Sequence, residues 1–508
     1  MPLMYCHAKL KNISQHTVIS AHLFLPDYSP MNRDSFYPAI ACFPLLLMLA
    51  GCAPMHETRQ ALSQQTPAVQ VDTALPTALK NGWPDSQWWL EYHDNQLTSL
   101  INNALQNAPD MQVAEQRIQL AEAQAKAVAT QDGPQLDFSA DMERQKMSAE
   151  GLMGPFALND PAAGTTGPWY TNGTFGLTAG WHLDIWGKNR AEVTARLGTV
   201  KARAAEREQT RQLLAGSVAR LYWEWQTQAA LNTVLQQIEK EQNTIIATDR
   251  QLYQNGITSS VEGVETDINA SKTRQQLNDV AGKMKIIEAR LSALTNHQTK
   301  ALKLNPVALP KVASQLPDEL GYSLLARRAD LQAAHWYVES SLSTIDAAKA
   351  AFYPDINLMA FLQQDALHLS DLFRHSAQQM GVTAGLTLPI FDSGRLNANL
   401  DIAKAESNLS IVSYNKAVVE AVNDVARAAS QVQTLAEKNQ HQAQIERDAL
   451  RVVGLAQARF NAGIIAGSRV SEARIPALRE RANGLLLQGQ WLDASIQLTG
   501  ALGGGYKR

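Results

Sequence analysis

The side chains that could carry out chemistry in this 508-residue sequence are few and poorly placed for catalysis. Its three cysteines, Cys6, Cys42 and Cys52, all lie near the start, so nothing beyond Cys52 can form a disulfide or thiolate cluster. The 11 histidines are scattered, and no GxSxG elbow, P-loop, HExxH helix or Cys/His metal cluster occurs. Serines and carboxylates sit in long helix-forming stretches without a local partner to activate them. This pattern predicts no enzyme, no metal and no cofactor. Only Cys52 has a distinctive setting. It follows an apolar run, residues 36–49, that is too short to span a bilayer comfortably, and then the small residues Ala50 and Gly51. That is the layout of a signal peptide (residues 1–51, starting at Met31) ahead of a mature chain beginning at Cys52.

Leu49-Ala50-Gly51-Cys52 resembles the bacterial lipobox. The resemblance implies that Cys52 becomes an N-palmitoyl and S-diacylglycerol cysteine, a covalent lipid anchor with enough acyl chains to hold stably. Ala53 and Pro54 follow, without the Asp that would retain a lipoprotein at the inner membrane, so export to the outer membrane is implied. Composition is compatible with this. There are 45 Lys plus Arg against 48 Asp plus Glu, which leaves no footprint for nucleic acid. A mean hydropathy of −0.23 excludes a bundle of transmembrane helices. It does not exclude β-strands, whose alternating residues average out.

The rest of the chain repeats itself. Asp110-Met111-Gln112 matches Asp330-Leu331-Gln332, and Pro134-Gln135-Leu136 matches Pro354-Asp355-Ile356, at an offset of 220. Val218-Ala219-Arg220 matches Val425-Ala426-Arg427 at an offset of 207, and the 13-residue difference falls in a Gly- and Pro-rich loop of the first copy. Flanking that loop, Leu136, Phe138, Ala140 and Met142 alternate with polar residues, as do Phe175, Leu177, Ala179, Trp181, Leu183 and Ile185. The second copy has Ile356, Leu358, Ala360 and Leu362, then Val382, Ala384, Leu386, Leu388 and Ile390. Period two over about ten residues fits a transmembrane β-strand. Four strands cannot close a barrel, and lipid tolerates no open edge, so several chains must share one.

Each hairpin leads into a proline-free run rich in Ala, Gln, Glu, Arg and Leu, residues 187–256 and 395–460. As continuous helices these are roughly 100 Å long. Helices return over 259–294 and 469–498, and others approach the strands over about 100–130 and 320–349. The predicted fold is mostly α, with a transmembrane β-barrel shared between subunits and a long α-helical periplasmic barrel. Its organisation is a tether and outer wrapping (52–99, with Trp88-Trp89 in a core) and a first repeat (100–305; hairpin about 135–186, long helices about 187–294). A Pro-containing connector (306–318), a second repeat (319–500; hairpin about 355–391, long helices about 395–498) and a tail (501–508) complete it.

Five motifs make a family resemblance. They are Gly82-Trp83-Pro84 through Trp88-Trp89, Asp184-Ile185-Trp186-Gly187, Tyr253-Gln254-Asn255-Gly256, Leu388-Pro389-Ile390-Phe391-Asp392-Ser393-Gly394-Arg395 and Ala501-Leu502-Gly503-Gly504-Gly505-Tyr506. Together they resemble the TolC-like outer-membrane factors of bacterial efflux and type I secretion systems, specifically the lipoprotein branch called the NodT family. The likeness covers essentially all of residues 52–508. It implies a homotrimer in outer-membrane lipid, a twelve-stranded barrel, and docking to an inner-membrane pump through a periplasmic adaptor. The implied function is a passive exit path for drugs or other small toxic compounds. A type I protein secretion conduit and a lipid-anchored periplasmic coiled-coil scaffold without a pore are the alternatives.

By the same resemblance, the helix tips hold the adaptor contacts: Tyr253, Asn255 and Gly256 in the first copy, Phe460, Asn461 and Gly463 in the second. The helix starts beyond them line an iris, which carries over to Glu262 and Glu265, and to Glu472 with Arg469 where the family often has a second acid. Inward carboxylates repeated by threefold symmetry would attract cations. Arg469 would partly cancel that field or clamp Glu472 from an adjacent helix. Ordinary solvated helix charges, and glycines that merely end helices, are the plain alternatives.

Overall fold

The computed structural model describes residues 55, 62–64, 83–148, 165–166, 169–257, 259–296, 302–311, 324 and 326–506, all within one unit, Ala53–Arg508. The signal segment, Cys52, Gly82, Thr258 and Pro317 lie outside the described residues, as do the side chains of Ser260 and Glu262. After a 3-10 turn at Trp88–Tyr92 come α1 (Asn95–Asn107), α2 (Pro109–Ala129), β1 (Gln135–Lys146), β2 (Thr165–Thr166) and β3 (Trp169–Leu183). Then follow α3 (Lys188–Gln254), α4 (Ser260–Leu294), α5 (Ala329–Ala350), β4 (Asp355–Ala366), β5 (Gln378–Thr387), α6 (Arg395–Asn461) and α7 (Gly467–Ala501).

The two proline-free runs are each one unbroken helix of 67 residues, α3 and α6. The approaching helix of the first repeat differs from expectation. It starts at Asn95, inside the stretch read as irregular tether, and breaks at Ala108. Asp94 sets the start, its Oδ1 accepting from the Leu97 N–H at 2.9 Å. Pro109 lacks an N–H and holds Ala108 extended, with ψ of 135°, so α1 must stop there and α2 restart. The second repeat breaks at the equivalent Arg328 without a proline, and α5 begins at Ala329 rather than near 320.

The strands form one antiparallel sheet in the order β1-β3-β4-β5, with β2 beside β3. The β3–β4 pairing joins the two repeats, which leaves β1 and β5 as edges. Two strands end earlier than the alternation suggests. β3 stops at Leu183 and β5 at Thr387, leaving Ile185, Leu388 and Ile390 outside the ladder. Pro389 cannot donate to a ladder, and Asp184 and Asp392 turn to start helices. Asp184 accepts from the Asn189 and Arg190 N–H groups at 3.1 and 2.9 Å, and Asp392 accepts from Leu396 at 2.9 Å.

The helices pack side by side in the same order as the strands. Near the sheet the row is α2, α3, α5, α6, and farther away it is α4, α3, α7, α6. Close approach between α3 and α5 depends on Gly198, where a Cβ would lie 3.0–3.2 Å from Ser340. The main core gathers Trp88, Trp89, Leu97, Ile101, Tyr222, Trp223 and Leu291. Within it the Tyr222 hydroxyl donates to Asp94 Oδ2 at 2.7 Å. Burial, and then that carboxylate, raise the phenol's pKa. The connector has no regular secondary structure over 302–311, beginning before Pro306. Buried Gln226 of α3 holds it, donating to Asn305 O at 3.0 Å and accepting from the Val307 N–H at 2.8 Å.

Candidate functional site

The sheet sorts its residues onto two faces. Register places Phe138 opposite Leu177, Leu177 opposite Leu362 and Leu362 opposite Met380, so these share one face. That face is apolar and open. Leu136 and Phe138 are each 67% exposed and Val382 is 82% exposed. A soluble protein rarely leaves so large an apolar surface bare. The other face carries Ser139, Asp141, Thr174, Gly176, Gln363 and Asp365. Asp365 accepts from Thr174 Oγ1 at 3.0 Å, and Gln363 donates to Gln379 at 2.9 Å. The sheet is thus a wall with one face suited to lipid and one to water.

Aromatic side chains mark where wall and helices meet. Trp186 stacks on Tyr353 with ring centroids 4.9 Å apart, and its indole N–H donates to Pro354 O at 2.8 Å. Trp181 donates to Asp132 O at 2.9 Å.

The helix row also leaves its edges bare. On α6 the buried stripe runs through Leu400, Ser407, Ile411 and Val418, whereas Ile402, Leu409, Val412 and Val419 are exposed on the far side at heptad-like intervals. The opposite edge, α2, exposes Val113 and Leu120, seven residues apart. Alternation identifies the strands, but these edge stripes escape the sequence reading. The spacing of residues 402, 409, 412 and 419 is the signal that could have shown them. Beside Val412 and Val419, on the same flank of α6, lies the tether, where the Leu62 N–H donates to Asn408 Oδ1 at 3.1 Å and Asn415 Nδ2 donates to Ser63 O at 3.0 Å.

At the end remote from the sheet, both long helices finish alike. The Ile257 N–H donates to Leu252 O and the Gly256 N–H to Tyr253 O, each at 2.9 Å. Ile464 to Arg459 and Gly463 to Phe460 repeat this at 2.9 and 2.8 Å. Gly256 and Gly463 both take φ of +72°, the left-handed cap that glycine supplies without strain. The glycines therefore shape the tips and present their neighbours. Tyr253, Ile257, Phe460 and Ile464 are all exposed around them, and Asn255 Nδ2 closes its own helix end on Gln251 O at 2.8 Å. Asn461 Oδ1 accepts from Gln457 Nε2 at 3.0 Å.

Two of the iris candidates, Arg469 and Glu472, pair directly. Arg469 Nη1 meets Glu472 Oε2 at 2.7 Å, but both belong to α7, three residues apart, so the clamp is within one helix rather than between two. One turn after Glu472, Pro476 interrupts the α7 hydrogen-bond ladder. Glu265 is exposed on α4. Cross-helix ties come from residues the sequence reading passes over. Arg474 of α7 reaches Glu241 of α3 at 3.3 Å and Gln457 of α6 at 3.2 Å. Among the described residues no helix is long and apolar enough to cross a membrane.

Residues 100–297 and 320–504 each match the sequence model of the family described as outer membrane efflux protein, one match per repeat. The chain is 98% identical over 478 residues to the multidrug resistance outer membrane protein MdtQ of Escherichia coli O157:H7, covering 94% of this chain and 100% of that one. It is 36% identical over 466 residues to the multidrug resistance outer membrane protein MdtP of Shigella flexneri, covering 91% and 94%. Among solved structures, the CmeC outer membrane channel of Campylobacter jejuni shares the fold at a TM-score of 0.76 and 18% identity, covering 90% of this chain and 96% of that one. The outer membrane protein VceC of Vibrio cholerae gives a TM-score of 0.70 at 25% identity, covering 84% and 100%.

Proposed function

We propose that this chain, which belongs to the outer membrane efflux protein family, is one of three identical subunits that close into a single exit channel across the outer membrane. The observation that carries this reading is the unfinished state of the lone chain. Its sheet ends in two unpaired edges, and the helix row beneath it ends in two exposed apolar stripes on the same sides. Joining the β1 and α2 edge of one copy to the β5 and α6 edge of the next satisfies both together. Such a head-to-tail contact closes as a ring. Three copies of four long strands give a twelve-stranded barrel, an even number as outer-membrane barrels require.

The dimensions support lipid on the apolar face. Trp181 and Trp169 both lie on that face of β3, twelve positions apart, which is about 40 Å along a strand. With the usual barrel tilt the height is about 30 Å, matching the hydrocarbon layer between aromatic girdles. The long helices then extend about 100 Å into the periplasm.

Cys52 is the lipid-modified residue in this reading. The ten residues from Cys52 to Leu62 span at most about 35 Å. Asn408, where Leu62 is fastened, lies about 20 Å along α6 from its start below the sheet. The acyl chains therefore reach the membrane surface. The tips around Tyr253, Asn255, Gly256, Phe460, Asn461 and Gly463 contact a periplasmic adaptor, and through it an inner-membrane pump. Glu262, Glu265, Arg469 and Glu472 border the periplasmic entrance. What passes is a drug or another small toxic compound, in keeping with the multidrug resistance named for MdtQ and MdtP. The conduit is passive and uses no cofactor. Electron microscopy of the purified protein tests the architecture. A hollow threefold tube is expected, and a monomeric or solid particle would overturn it.

A further inference from the structure

The charges on the sheet are sorted by sign. Among the described strand residues, the carboxylates Asp137, Asp141, Glu143, Asp355 and Asp365 all lie on the polar face, as register with Thr178, Thr174, Asn172 and Thr387 requires. The two full cations of the strands, Arg144 and Lys146, both lie on the apolar face. They sit two residues apart at the strand end farthest from the helices, and both are exposed. Neither meets a carboxylate among the described residues. A cation facing hydrocarbon is costly unless its head reaches the water and headgroup level, where lipid phosphates are the available anions.

The surroundings form a cradle rather than two stray charges. Lys146 pairs directly across the ladder with Trp169, and the Arg144 guanidinium lies 6.0 Å from the centroid of the same indole. One indole is therefore flanked by two cations. Beside them the β4–β5 loop folds back over the apolar face, and Phe373 packs on Phe175 at 5.6 Å while remaining 84% exposed. Arg374 follows it, joined to Asp371 at 3.1 Å. A planar guanidinium fork and an ammonium at this spacing suit phosphate oxygens. The indole suits the boundary between sugar headgroup and acyl chain.

We propose that Arg144, Lys146 and Trp169 form a binding site for the phosphorylated saccharide headgroup of an outer-leaflet glycolipid. The inference rests on the reading that the apolar face meets the outer membrane with its helix-remote end outward. The test is native mass spectrometry of the purified full-length protein exchanged into lipopolysaccharide, either intact or stripped of its lipid phosphates. The expected result is retention of the phosphorylated form at least about tenfold over the stripped form. Arg144→Gln with Lys146→Gln should abolish that preference, and the charge-preserving exchange Arg144→Lys with Lys146→Arg should keep it.

Equal retention of both lipids by the unsubstituted protein overturns the proposal without recourse to any variant. So does an unchanged preference in the doubly neutralised protein, or complete displacement by millimolar inorganic phosphate, which would mark a plain anion site. Conductance in planar bilayers separates this inference from the reading beneath it. If the preference fails while conductance persists, only the glycolipid site falls. A protein that does not conduct overturns the channel itself.

Discussion

Leu409 gives the sharpest test of how the chains join. At 100° per residue it is rotated about 160° around α6 from buried Ile411, and it is 67% exposed in the single chain. Replacing it therefore leaves the chain's own packing intact. In the proposed closed ring it would lie against the α2 edge of the next subunit, which carries Val113 and Leu120. Full burial of a leucine is worth about 1.5–3 kcal/mol, so two-thirds of that surface contributes about 1–2 kcal/mol per contact. Threefold closure brings this to about 3–6 kcal/mol for the ring. Leu409→Glu loses that amount and also places three carboxylates in a drying interface, each at a further cost. We expect the trimer to dissociate at concentrations at least a hundredfold higher than the unsubstituted protein. Light scattering coupled to size exclusion over a detergent dilution series reads this, with circular dichroism confirming unchanged helix content. A Leu409→Glu trimer that dissociates no more readily would refute the edge-to-edge assignment.

Arg469→Ala should release the Glu472 carboxylate from its ion pair and raise cation selectivity in planar bilayers, whereas unchanged selectivity would assign both residues to the outer surface. Gly256→Ala has open space for its Cβ, so its cost is the left-handed backbone alone, about 1–2 kcal/mol, seen as faster amide exchange at the α3 tip. Burial and then Glu206 push the Tyr337 phenol up to about 12 from 10, and its hydroxyl donates to Glu206 at 2.8 Å. Because the folded value is raised, its contribution is complete below pH 10 and is lost as pH rises toward 12. Tyr337→Phe should flatten the stability loss in that window, and an identical alkaline melting profile would contradict the assignment. Cys52→Ser should abolish metabolic labelling by palmitate, and persistent labelling would remove Cys52 as the anchor.

The strands were legible because period two survives in both copies, and the helices because proline is absent from two long runs. The duplication was legible to the residue. The offset of 220 relates α2 to α5 and β1 to β4, and the offset of 207 relates α3 to α6 and α4 to α7. What composition could not give was the use of single residues. Pro109 breaks a helix that its neighbours favour, and Arg328 marks the same break with no proline to announce it. Asp184 and Asp392 end strands by capping helices, a role that depends on where the chain turns in space. The Arg469–Glu472 pair required only the i, i+3 rule, whereas the expected clamp came from an adjacent helix. The α6 stripe was missed because a 67-residue amphipathic pattern hides which of two apolar faces is covered within the chain and which is left for a neighbour.

A water-filled path through a bilayer is what this chain, joined to its own copies, is proposed to make. Single-channel recording of the purified full-length protein in planar lipid is the direct measurement. Discrete, long-lived conductance steps from the trimer fraction, and none from the Leu409→Glu monomer, are the predicted result. A trimer that inserts into lipid and passes no ions would contradict it.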